Sequence, residues 1–530
     1  MDFQSLLLFT SLLLSLSFLY WISYKRHHEH QPSLKPYPVL GVLPQFLKNR
    51  HRLFDWLADV LAAAPTNTVT FTRFGNIRGV ITSNPANVEY ILKTNFDNFP
   101  KGPRLNSLLH DFLGGGIFNS DGPQWRIQRK TASFEFNTRS LRNYVVRNVQ
   151  EETSARLVPL LKASAATGEA IDLQDVLERY AFDNICKVAF GEDPACLADD
   201  SAAPAAATSK KLPSSFADAF RDAANLSAER FRYALPGFWK IKKLLGIGSE
   251  LRLTESIAIV HDFAMQIIRS RVKERQLASL AQAADADLLS RFIANEEFSE
   301  EFLRDIVISF ILAGRETTSS ALTWFFWLLS SRPDVERMIL EEIASVRNQA
   351  KVVNNGIGSS DEGDNRTTFE FEELREMQYL HAAITEAMRL YPPVPANSTS
   401  CQRDDVLPDG TEVKKGWFVS YQSYAMGRME SIWGTDCREY KPERWLDAGG
   451  VFRPESPFKF PAFHGGPRIC LGKEMAYIQM KSIAACILER FVVQVVDSSK
   501  IPQQMMSLTL RMKGGLPVRM MERCVDIKKA

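Results

Sequence analysis

A chain of 530 residues, 45% hydrophobic and 24% charged, is long enough for a deep core and has the composition of an ordinary globular protein. Its formal net charge of +2 lacks the basic excess of a general nucleic-acid binder, so no nucleic-acid partner is expected. Its 7 cysteines are scattered, odd in number and without a C-x-x-C pair, which excludes a zinc ribbon and a disulfide framework and places the folded part in a reducing compartment.

Residues 1–24 read as a transmembrane anchor. No charged side chain occurs from Phe3 to Tyr24, a stretch that as helix would span roughly 33 Å against a hydrocarbon core of about 30 Å. Tyr20, Trp21 and Tyr24 suit an interfacial belt, and Lys25 and Arg26 after them keep the remainder of the chain cytosolic. A cleaved signal peptide is the alternative; the long apolar run, the lack of a basic n-region and the missing small-x-small site oppose it. Pro32, Pro36, Pro38 and Pro44 make residues 25–45 a basic, proline-rich hinge. Residues 46–530 read as a single large domain, mainly α with a smaller β portion. Thr68–Thr72 and Gly79–Thr82 are β-like, while Leu251–Gln276 and Ser299–Ser331 have helical period. Ala195–Ser209 and Asn354–Thr368 have the composition of surface loops.

The most informative stretch runs from Phe463 to Gly472. A cysteine that holds haem iron as a thiolate needs a tight loop whose amides can face the sulfur, which Gly465, Gly466 and Gly472 permit. It needs an aromatic cover, for which Phe463 is placed, and a cation for the haem propionates, for which Arg468 is placed. Lys473–Phe491 has helical period, so Cys470 stands just before a helix N-terminus that favours an anionic sulfur. A lone cysteine is ordinarily a small buried hydrophobe. Here F-x-x-G-x-R-x-C-x-G fixes five positions, a chance match on the order of one in ten thousand for a chain this long.

Further groups stand in the same chain. Ala313-Gly314-Arg315-Glu316-Thr317-Thr318 lies inside the long helical stretch, where an acid beside an alcohol can relay protons, although such threonines also bond back to the preceding turn. Glu386 and Arg389 are an i,i+3 pair, and Trp125 and Arg129 share one helix face.

Taken together, the cysteine loop and these groups resemble the cytochrome P-450 superfamily, with its single-domain, mainly helical fold and a cysteine thiolate on the iron. The resemblance implies non-covalent haem b held by Cys470, with haem contacts from Trp125, Arg129, Arg468, Phe463, Gly466 and Gly472. It assigns oxygen activation to Thr317 and the proton path to Glu316, and it joins Glu386 and Arg389 to Arg444 in a buried brace that holds the cysteine loop. Ala313 stands where some animal relatives carry a haem-linked glutamate, so no covalent link is expected. Thr399 stands where many relatives have a basic propionate partner, and Arg403 is nearby. Electrons are expected from NADPH through a flavoprotein NADPH-cytochrome reductase, with Arg126, Lys130, Lys473 and Lys481 as candidate contacts. Gly114–Tyr144, Asp404–Trp445, Phe460–Phe491 and Leu508–Val518 are similar to plant fatty-acid omega-hydroxylases, a subgroup that includes hydroxylases of jasmonoyl-amino-acid conjugates. The expected activity is hydroxylation of a fatty acid with dioxygen at or near the terminal carbon, on the endoplasmic reticulum membrane, with a single-pass anchor in lipid and a cytosolic catalytic domain. Leu113, Phe118, Phe310, Val394 and Leu508 are its implied substrate contacts. The alternatives are a jasmonoyl-conjugate hydroxylase, a reductase-independent haem-thiolate isomerase or dehydratase, and a membrane-tethered haem sensor.

Overall fold

A computed structural model describes Ser15 and residues 34, 36–37, 40–75, 77–136, 139–198, 214–233, 237–278, 288–294, 298–355 and 367–523. The expected anchor and most of the expected hinge lie outside the described residues, apart from Ser15, as do residues 199–209 and 356–366 of the two expected loops. No helix among the described residues is long and apolar enough to cross a membrane.

The early β pieces form a hairpin, β1 (Thr68–Arg73) and β2 (Ile77–Thr82), with Thr68 opposite Thr82. A helical series follows: α1 (Gly102–Leu113), α2 (Gly122–Phe136), α3 (Arg139–Glu152), α4 (Leu173–Phe190), α5 (Ser214–Glu229), α6 (Phe238–Leu245), α7 (Ser249–Ala278), α8 (Glu300–Leu329), α9 (Pro333–Asn355) and α10 (Gln378–Leu390). Two further strands, β3 (Asn397–Ser400) and β4 (Phe418–Tyr421), complete a four-stranded sheet of order β1-β2-β4-β3 in which β2 and β4 run parallel. Helix α11 (Lys473–Arg490) and strands β5 (Phe491–Val495), β6 (Gln504–Met506), β7 (Leu510–Met512) and β8 (Pro517–Glu522) end the described chain, with β6–β7 and β5–β8 antiparallel.

Helix α8 organises the interior. Ser299 caps it by accepting the Phe302 N–H at 3.2 Å, and Glu300 and Glu301 complement the positive end of its dipole. Its apolar residues surround the axis instead of forming one stripe, because α8 is buried on every side. The N-terminal half, through Leu312, packs into one core with α1, α4, α5 and α7. From Ala321 onward it packs into a second core with α9, α10 and α11, where the indole of Trp324 stacks on Tyr391 at 4.0 Å. Between the two cores Ala313, Gly314 and Thr317 are only partly buried. The central helix is therefore unsealed along one short stretch, and the sequence groups of interest lie on it.

Candidate functional site

The cysteine loop is pinned before it reaches its cysteine. Gly466 adopts φ +62°, and a Cβ there would lie 1.9 Å from the carbonyl oxygen of Leu92. Gly465 lies flat against the ring of Phe458, at 2.9 Å from a built Cβ. The Cys470 N–H donates to the Phe463 carbonyl at 2.8 Å and closes the loop. Gly472 has an ordinary φ of −85°, and a Cβ there would stand in ordinary contact, 3.8 Å from the Phe136 ring and 4.0 Å from the Cys470 sulfur, so neither conformation nor space demands a glycine at this position. Phe463 packs on Tyr477 at 5.2 Å between ring centres. Substituting Gly466 with alanine is expected to destabilise the loop by about 1–3 kcal/mol, because left-handed strain adds to a backbone clash. An increased fraction of haem-free protein on purification would register it.

Cys470 is solvent-accessible, yet protein atoms surround it closely enough for burial to push its thiol above the usual range. Both hold if the sulfur opens onto a recess instead of the outer surface. The Gly472 N–H and the charges of Arg129 and Lys473 act in the opposite direction and favour the thiolate.

Cations gather around the recess. Arg468 donates to the Ser120 carbonyl at 2.9 Å and to Asp121 Oδ1 at 2.8 Å, and its guanidinium lies 4.4 Å from the centre of the Trp125 ring. Arg129 donates to the carbonyl of Ile469. Lys101 belongs to the same group: burial, then Arg468, lowers it to about 8. Burial also lowers Arg468 to about 10, with Arg129 adding to the effect, and His464 to about 3, with Lys101 adding to the effect. Arg468 is thus repelled by both Lys101 and Arg129, and Asp121 is the carboxylate that Lys101 and Arg468 share. That unneutralised excess fits the two propionates of haem, as the open soft sulfur fits its iron. Arg403 is exposed and Thr399 donates to the Val419 carbonyl at 3.2 Å, while Lys101 is the further cation beside Arg468.

On α8, Thr317 Oγ1 donates to the Ala313 carbonyl at 2.6 Å, the bond to the preceding turn. Glu316 points elsewhere and is buried: Oε1 accepts from Arg315 at 2.9 Å and Oε2 from Thr509 at 3.2 Å. Gly314 does not create free space, because a Cβ there would meet Ile185 of α4 at 2.4 Å. Its smallness serves the close approach of two helices.

Glu386 and Arg389 form a two-pronged pair, both contacts at 2.7 Å, and Arg444 Nε reaches Glu386 Oε1 at 3.5 Å. The other prongs of Arg389 end on the carbonyls of Gly427, Cys437 and Glu439. The brace therefore grips the segment from Gly427 to Trp445, and one route from it toward the cysteine loop is the packing of Trp445 on Phe460 at 4.9 Å. Leu113 and Phe310 share one apolar cluster, with Leu471 and Leu508 packed against it. Val394 is partly buried, whereas Phe118 is 42% exposed and stands apart. Lys481, expected as a partner contact, is buried and donates to the Leu374 carbonyl; α11 is enclosed at that turn, so no partner can reach it. Sequence reasoning missed Lys101, since a lysine before Gly-Pro reads as an ordinary loop cation and only tertiary structure places it beside Arg468.

The sequence profile of the Cytochrome P450 family matches residues 32–517. Cytochrome P450 CYP94D108 of Paris polyphylla is 51% identical over 485 residues, covering 92% of this chain and 91% of the relative. Cytochrome P450 94A1 of Vicia sativa is 45% identical, covering 92% and 90%. Cytochrome P450 94B3 of Arabidopsis thaliana is 46% identical, covering 92% and 91%.

Proposed function

Because this chain belongs to the cytochrome P450 family, whose members hold haem on a cysteine thiolate and draw electrons from NADPH through a reductase, we propose that it hydroxylates fatty acids at or near the terminal carbon. The observation that carries this reading is the junction of two environments. An accessible sulfur sits beside cations, and Leu471, its neighbour in the chain, packs on the apolar cluster of Leu113 and Phe310. An acyl chain requires such walls.

Cys470 would hold the iron, and Lys101, Arg129 and Arg468 would neutralise the propionates, with Trp125 stacked under Arg468 as a flat wall. Bound haem supplies the oxidising chemistry that side chains lack. Thr317 would turn its hydroxyl proton from the Ala313 carbonyl toward the open side of α8. Glu316, held between Arg315 and Thr509, would keep a carboxylate one residue behind it for proton supply.

The proposed location is the endoplasmic reticulum membrane, with residues 1–24 as anchor. Helix α6 supports it by exposing Ile241, Leu244 and Leu245 (55, 86 and 62%) beside Lys240, Lys242 and Lys243, a composition suited to a lipid surface. Arg126, Lys130 and Lys473 are exposed and remain available to the acidic reductase.

With a flavoprotein reductase and NADPH, lauric or oleic acid is expected to give the terminal alcohol, measured by mass spectrometry against jasmonoyl-isoleucine in parallel. Turnover of the conjugate alone would overturn the substrate, and turnover of a fatty-acid hydroperoxide without NADPH would overturn the reaction class.

A further inference from the structure

The connection from α1 to α2 contains three consecutive glycines, the composition of a flexible loop, yet its backbone is fully committed. The Gly114 N–H donates to His110 and its carbonyl accepts from Asn119 Nδ2, both at 2.8 Å. The Gly115 N–H donates to Asp305 Oδ2 at 2.8 Å, and its carbonyl accepts from Gln128 Nε2 at 2.8 Å. Gly116 bonds Leu113 at 3.0 Å through its N–H and Asn119 at 2.8 Å through its carbonyl. Six backbone groups are satisfied, and two of them are held by side chains from separate helices: Asp305 on α8 and Gln128 on α2.

The glycines are there for close approach. A Cβ at Gly114 would fall 2.0 Å from the Asp305 carboxylate, one at Gly115 would fall 2.6 Å from Gln124, and one at Gly116 would fall 2.3 Å from Ser309 Oγ. The loop backbone therefore lies directly on the first half of α8, two turns before the partly open Ala313–Thr317 stretch. Asp305 is itself fixed, since Oδ1 accepts from Arg304 at 2.8 Å and its backbone carbonyl accepts from Ser309 at 2.7 Å. Leu113, at the start of the loop, packs in the same apolar cluster as Phe310.

We propose that Asp305 and Gln128 are positioning residues that hold the Gly114–Gly116 loop as a rigid wall of the acyl pocket and so determine which carbon is hydroxylated. The proposal rests on the fatty-acid reading above. A terminal methyl has the strongest C–H bonds of the chain, so left to intrinsic reactivity the neighbouring methylenes react first. Terminal selectivity then has to come from walls that hold the chain end in place, and a misplacement of about 1 Å is enough to redirect reaction. Loosening the wall has a defined direction: toward subterminal alcohols.

The test uses the full-length, haem-loaded protein. In Asp305→Ala, hydrogen–deuterium exchange in the segment containing Gly115 is expected to rise about tenfold, as loss of one hydrogen bond to a charged group gives. The ratio of terminal to subterminal alcohol from lauric acid should fall about tenfold with it. Asp305→Asn, whose amide oxygen can still accept from Gly115, should keep both within about twofold of wild type. Gln128→Met provides the second variant should Asp305→Ala fold poorly, and should shift both readouts in the same sense. Faster exchange with unchanged regiochemistry, or unchanged exchange, overturns the proposal. Absence of any fatty alcohol from wild type is a different result, because it removes the substrate reading itself.

Discussion

Replacing Cys470 with alanine is expected to leave a folded protein that has lost the thiolate-type absorption band of reduced, carbon-monoxide-bound haem. Folding should survive because the side chain is exposed and fills no core position, so its removal should cost about 0.5 kcal/mol or less. Monooxygenase turnover should fall by at least ~10³-fold, the range found when one member of an interdependent catalytic group is deleted. The other described cysteines are poor substitutes. Cys186, Cys401, Cys437 and Cys486 are buried, and Cys401, Cys437 and Cys486 donate their thiols to backbone carbonyls. Burial pushes the Cys186 thiol well above its usual range and Cys486 up to about 12, which denies them the anionic form a metal requires. Cys196 is partly exposed and is the informative control. Persistence of the band in Cys470→Ala, with its loss in Cys196→Ala, would relocate the iron and remove the basis of the proposed function.

The second large effect belongs to the brace. Glu386 and Arg389 have no side-chain exposure, and together they engage Trp445, Lys441 and the backbone from Gly427 to Glu439. Glu386→Ala would leave the Arg389 guanidinium buried without its counter-charge, for an expected loss of about 3–5 kcal/mol. Arg389→Lys should recover little of a similar loss, because one ammonium cannot replace a planar fork that reaches a carboxylate and three carbonyls at once. Denaturant midpoints of haem-loaded protein measure both. Arg444→Gln should cost less, since its side chain is 13% exposed and its 3.5 Å contact with Glu386 is long, while Asp436 at 2.8 Å is its shorter partner. Equal losses for Glu386→Ala and Arg444→Gln would show that the three form one indivisible unit. Loss of haem ahead of global unfolding in Glu386→Ala would show that the brace acts on the cysteine loop through packed side chains such as Trp445 and Phe460.

By itself the sequence determined what short-range pattern can encode. Helix α8 ends within two residues of the stretch read from its period, and Ser299 caps it as its residue type allows. The hairpin β1–β2 and helix α11 form where alternation and helical period place them. The cysteine loop was legible because its glycines, arginine and cysteine lie within ten residues, so the constraints of one turn are all written locally. Partners distant in sequence were not legible. Lys101 and Lys481 are both lysines in unremarkable contexts, yet one joins a crowded cationic recess and the other is enclosed beneath Leu374. Gly314 stands in a run read for its acid and alcohol, and only the packed structure shows it to be the contact point of α4. Asp305 carries no motif, and its grip on Gly115 spans 190 positions. Local propensity and periodicity depend on neighbours along the chain, whereas burial and hydrogen-bond partners depend on which helices the packed core brings together. Only the tertiary structure decided which charges were left without a counter-charge and which glycines were needed.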